Sequence, residues 1–117
     1  MQTQKQIENL KSIQQNIDPD VEIVDLDSPF MLAGVEIKSV EVRKPSVTAL
    51  RKVRIADILN GDVNSICMLL PLCTTNPTLT KQQLDNLIDP VDIIQMGGAI
   101  ITFLQPKSVR AELSRPQ

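Results

Sequence analysis

Trp and Tyr are absent from this chain and Phe occurs only at Phe30 and Phe103, so any core must be assembled from Leu, Ile and Val. The surface offered to a partner should be aliphatic for the same reason. So few rings leave almost nothing on which to stack bases or sugars. At 117 residues there is room for one domain and little for a second core. A domain of this size buries roughly two-thirds of its unfolded surface, enough to fold unaided with a modest margin. The 42% hydrophobic and 22% charged residues are those of a globular chain rather than a disordered one.

Charge narrows the function classes. Twelve basic residues stand against 14 acidic ones, for a net charge of −2, which argues against strong attraction to nucleic acid or anionic lipid. Histidine is absent, which removes the usual general base near neutral pH and the commonest metal ligand together. Cys67 and Cys73 both lie in the apolar run around Pro71. A spacing of six sets them about 240° apart on a helix, so they read as buried thiols of a reducing compartment rather than a disulfide or metal pair. The N-terminus lacks an apolar signal core, and no apolar run reaches the ~20 residues of a membrane span. A soluble intracellular protein without cofactor or metal is expected, and not an enzyme.

Along the chain, Ile7, Leu10, Ile13 and Ile17 recur at helical spacing and predict an N-terminal amphipathic helix over 1–18. Alone it would be marginal in water, so it either packs on the body or meets a partner. Residues 21–27 alternate as a strand that Ser28-Pro29 breaks, and Gly34 marks a turn. Val35, Ile37, Val40 and Val42 form a second strand, whose change of parity places a bulge near Lys38-Ser39. A β-hairpin or small meander with a fairly long connection results, and two strands need helices on one face. Ser46 is the N-cap of a helix with Val47, Leu50, Val53, Ile55, Ile58 and Leu59 on its apolar face, ending at Asn60-Gly61. Asp62 caps the next helix, which Pro71 should kink or end, and 74–78 reads as a loop. Thr80 and Gln83 make a capping box. Asp89-Pro90 opens the last helix, with Asp92 in its first turn and Ile94, Gly97, Gly98, Ile101 and Leu104 on one stripe. The expected fold is α+β: the small sheet packed with three to four helices in a domain over 19–105, with 106–117 as a flexible tail.

The order of these landmarks carries a family resemblance. Asp25-Leu-Asp-Ser-Pro29 is followed by Gly34, Val35-Glu-Ile37 and Val40-Glu-Val-Arg43-Lys-Pro45, then by a basic amphipathic helix and a Leu-rich one. A Thr/Leu-rich turn and Leu84-Asp-Asn-Leu87 lead into Asp89-Pro-Val-Asp92. Over roughly residues 22–104 this resembles the tail assembly chaperones of Mu-like and P2-like contractile-tailed bacteriophages, in which a second strand ends in Arg-x-Pro and runs directly into a helix. The resemblance implies a protein of the host bacterial cytoplasm that binds the phage tape-measure protein. It would keep that protein soluble until tail-tube protein polymerises around it, and be absent from the finished virion. In many phages of this family a ribosomal frameshift near the gene's end also gives an extended form, legible only in the nucleotide sequence. A long, largely helical tape measure carries apolar stripes that an aliphatic groove could cover, with several weakly bound copies, expected to self-associate on it as a homo-oligomer, gaining by avidity.

Candidate partner-binding residues follow. Arg43 and Pro45 stand at the strand-to-helix junction, where Arg43, Lys44, Arg51, Lys52 and Arg54 cluster. That cluster is either a docking patch or a solvated face balanced by Asp18, Asp20, Glu22, Asp25 and Asp27, and exposed pairs contribute only ~0–1 kcal/mol each. Gly97 and Gly98 each cost about 1 kcal/mol inside a helix, so either a partner helix or one of the same domain should approach there. Leu69, Leu72, Ile94 and Phe103 belong to an apolar stripe that is part core and part candidate lining. Asp89 and Asp92 read as caps rather than a catalytic pair. Two other classes stay open: a structural tail or connector component of the virion, and a small DNA-binding regulator using the helix after Ser46. Overall acidity speaks against the latter.

Overall fold

Ala33 and Gly34 reverse the chain between its two long strands, and both have positive φ, 50° and 80°. A two-residue turn with this handedness matches the twist of the strands it joins. In the computed structural model, which describes residues 18–106, 108 and 109, β1 (Val21–Leu32) and β2 (Val35–Arg43) pair antiparallel. The ladder runs from Leu32↔Val35 at the turn to Val21↔Arg43 at the open end. The long connection expected between the strands is therefore absent, and β1 continues through Ser28 and Pro29. A bulge makes this possible. Asp25 pairs with Ser39 and Phe30 with Ile37, leaving residues 26–29 opposite Lys38 alone. The parity change lies where the sequence placed it, but the surplus residues belong to β1. Pro29 has no N–H to offer a ladder and is tolerated where the ladder is already interrupted.

After β2, Ser46 caps as expected, its hydroxyl accepting from the Ala49 N–H at 3.1 Å. The single helix expected up to Leu59 is instead two short pieces, α1 (Val47–Leu50) and α2 (Ile55–Leu59). Each buries a single residue, Ala49 or Ile58, which is little to hold a longer helix together. Val47, Ile55 and Leu59 stay exposed. Gly61, at φ 76°, makes the reversal into α3 (Val63–Cys73). Asp62 caps this helix by accepting from the Ser65 N–H at 2.9 Å and the Ser65 hydroxyl at 2.7 Å, and these bonds hold its carboxyl below the ordinary value.

Pro71 does not end α3, which runs on to Cys73. The stop comes from Thr74, whose hydroxyl donates to the Leu70 carbonyl at 2.7 Å and accepts from the Leu79 N–H at 2.9 Å. Thr74–Thr75 is not loop but a short strand, β3, which pairs with Glu41 and Val42 and completes a sheet of order β1-β2-β3. The Thr80–Gln83 capping box forms as read and opens α4 (Lys81–Leu87), and Asp89 with Pro90 opens α5 (Pro90–Phe103). The α+β class holds, with five helical segments rather than three or four among the described residues. The predicted N-terminal helix and most of the predicted tail lie outside those residues.

One core joins the layers. Val24, Leu26, Phe30, Val40 and Val42 of the sheet meet Ile66, Leu69 and Leu70 of α3 and Ile93, Met96, Ile100 and Phe103 of α5. A polar joint crosses it. The fully buried Asp92 carboxylate accepts from the Asp27 N–H at 2.6 Å and the Ser28 N–H at 3.1 Å, while Ser28 Oγ donates to Asp89 at 3.3 Å. Amides that the bulge withdraws from the β ladder are thereby satisfied by the first turn of α5. Asp92 is more than a dipole cap: it fastens the sheet to the helices.

Candidate functional site

The helices bury one set of aliphatic side chains and leave a second set in water. Along α3, Ile66, Leu69, Leu70 and Cys73 face the core, while Val63, Cys67, Met68, Pro71 and Leu72 line an open groove of about 810 Å³. The facing wall comes from Leu84 and Ile88 and from the first two turns of α5 through Ile93 and Ile94. Val63, Met68, Leu72 and Ile94 are each between 50% and 63% exposed, so the groove is an apolar surface and not a rim of the core. Single exposed aliphatics are ordinary, but a concave cluster of them is the usual mark of an interaction site. Charges touch it at three points: Lys52, Lys81 and Asp85. A smaller depression of about 310 Å³ adjoins it, sharing Lys52 and Met68 and including Arg51, Arg54 and Asp57.

The thiols report the two environments. Cys67 is half-buried in the groove wall, and burial, then the nearby Asp85 charge, push its thiol up. Cys73 is buried in the core, where burial pushes its thiol up to about 11. Both are free. Among the described residues no group of three or more His, Cys, Asp or Glu could hold a metal ion, and no helix is long and apolar enough to cross a membrane.

Of the residues singled out in the sequence, Leu72 and Ile94 come together in the groove and Arg51 lies in the adjoining depression. Leu69 and Phe103 are core. Gly97 is buried against α3: a Cβ there would come within 2.6 Å of Ile66 Cδ1, so the helix of the same domain is what needs the glycine. Gly98 faces outward with nothing near it. The stripe expected on α5 is thus rotated. Its buried line is Asp92, Ile93, Met96, Gly97, Ala99, Ile100 and Phe103, which leaves out Ile94 and Gly98, because Asp92 must face the bulge. Pro45 is buried at the junction, and Arg43 lies apart from the groove, its Nε donating to Thr75 Oγ1 at 3.4 Å. Sequence reasoning missed Val63, Cys67, Met68 and Pro71 as lining. The available signal was a surplus: α3 is apolar nearly all round, more than one buried face requires.

These features define a small α+β domain whose helical layer carries an open apolar groove. The family model of phage tail assembly chaperone proteins, E, or 41 or 14, matches residues 23–104, and the chain belongs to that family. Tail assembly protein E of Escherichia phage P2 is 34% identical over 88 residues, which is 75% of this chain and 94% of that protein. Tail assembly protein E' of the same phage is 33% identical over 82 residues, 70% of this chain but 56% of the relative. No solved structure gives a significant match.

Proposed function

We propose that this chain binds the phage tape-measure protein in the host bacterial cytoplasm and keeps it soluble until tail-tube polymerisation. Membership of the tail assembly chaperone family supports the assembly role. The observation that carries the finer reading is the groove, where Val63, Met68, Leu72 and Ile94 stand in water on helices whose other faces already fill the core. Each of these side chains is already about half covered, so completing its burial contributes roughly half of the about 1.5–3 kcal/mol of full burial, enough over four residues to retain an apolar helical segment. The role is binding, without a cofactor and without catalysis. Contacts of this size stay individually modest, so several copies on one long partner act by avidity and yield in turn to a growing tube.

Co-expression with the phage's tape-measure protein tests this. The expected result is a tape measure that is soluble only with this chain and elutes with it, together with purified virions that lack the chain by mass spectrometry. A tape measure soluble by itself, with nothing co-eluting, would remove the reading. Recovery of the chain from virions would make it a structural tail component instead.

A further inference from the structure

The two depressions meet at Met68 and Lys52, and the charges around them are lopsided. Arg51, Lys52 and Arg54 are all exposed on one lip, where Asp57 is the sole carboxylate lining the adjoining depression. The opposite wall carries Lys81 and Asp85, which offset each other. The floor from Val63 to Leu72 extends about 14 Å at ~1.5 Å per helical residue, the length of two to three turns of a docked helix. Neither end of the groove supplies an edge strand for an extended peptide to pair with, because its walls are helices.

Resting on the reading of this groove as the docking site, we propose that its occupant is an acidic amphipathic α-helix. Aliphatic anchors at i, i+4 and i+7 sit between α3, α4 and the start of α5, and Asp or Glu on one flank meets Arg51, Lys52 and Arg54. The chain's own segments fit less well. Residues 1–17 carry Lys5 and Lys11 against Glu8, a net cation that this lip repels. The acidic run of a second copy, Asp18, Asp20, Glu22, Asp25 and Asp27, enters a strand and not a helix. The lip contributes selectivity and speed of capture, and the apolar floor contributes retention.

Two labelled helical peptides with the same Leu anchors, one flanked by Glu and one by Lys, test this on the full chain by fluorescence anisotropy. The Glu peptide should bind about tenfold or more tightly than the Lys peptide at low salt, and the gap should close as salt screens the lip. Arg51→Glu/Lys52→Glu/Arg54→Glu should reverse the preference, and bound Glu peptide should slow maleimide labelling of Cys67. Equal affinities, or no binding of either peptide, would overturn the acidic helix while leaving tape-measure co-purification to judge the groove. Binding that ignores Met68→Asp/Leu72→Asp and leaves Cys67 open would overturn the groove as well. Cys67 already shielded in the isolated chain also counts against the proposal: release on dilution would name a second copy, and release by Leu10→Asp/Ile13→Asp would name the N-terminal residues.

Discussion

The two faces of α3 are made of the same kind of side chain and end in opposite surroundings. Leu69 is fully buried, whereas Leu72, three residues on, is 51% exposed. On α5 the usual preference is inverted: Asp92 is fully buried and Ile94 is 63% exposed. Hydropathy alone does not divide such helices into core and surface. The division comes from what the rest of the chain can cover, and here the sheet supplies one cover while α4 supplies only a wall. The exposed face is the one that no described element covers.

Substitutions on the two faces should separate sharply. Leu69→Ala leaves a cavity in the core and should cost about 3–4 kcal/mol in urea unfolding, while Leu72→Ala should cost under ~0.5 kcal/mol. Similar losses at the two positions would mean that the groove is structural. Asp92→Ala should cost about 2–3 kcal/mol, because two amide donors of the bulge lose their acceptor, and Ile94→Asp should be nearly neutral to folding. An Asp92→Ala protein as stable as the parent would show that water satisfies the bulge.

The adjacent glycines make a finer test. Gly97→Ala forces Ile66 to move and should lose about 1 kcal/mol net, whereas Gly98→Ala, with open space around it, should gain about 0.5 kcal/mol from helix propensity. Ile66→Val, which removes the Cδ1 atom nearest the new methyl, should reduce the Gly97→Ala penalty. The smallest difference is chemical. Both thiols are raised above their ordinary values, so at pH 8 each has less thiolate than a free cysteine and should alkylate more slowly, faster as pH rises. Cys67 should label in the native protein and Cys73 only on unfolding, which timed maleimide labelling reads directly.

Much of the fold was legible because local chemistry decided it. Ser46, Asp62, Thr80 and Asp89 each cap the helix they were assigned, since a short polar side chain before an apolar run has few other uses. What stayed hidden depends on distant partners. β1 survives Ser28-Pro29 only because Asp92, 64 residues away from Ser28, takes the bulge amides. Thr74–Thr75 is a strand only because β2 offers an edge beside it. The split between α1 and α2 likewise follows from how little tertiary contact each piece finds. At the site, Leu72 and Ile94 were legible as surplus apolar residues, but Leu69, Gly97 and Phe103 looked the same until the sheet and α3 were in place.

The most direct test of the central claim is co-expression of the tape-measure protein with Met68→Asp/Leu72→Asp beside the parent chain, after thermal melting has compared the two. The account predicts an unchanged melt and a tape measure that aggregates with the variant but stays soluble with the parent. A folded variant that solubilises the tape measure as well as the parent does would contradict it, and would move the docking site away from the groove.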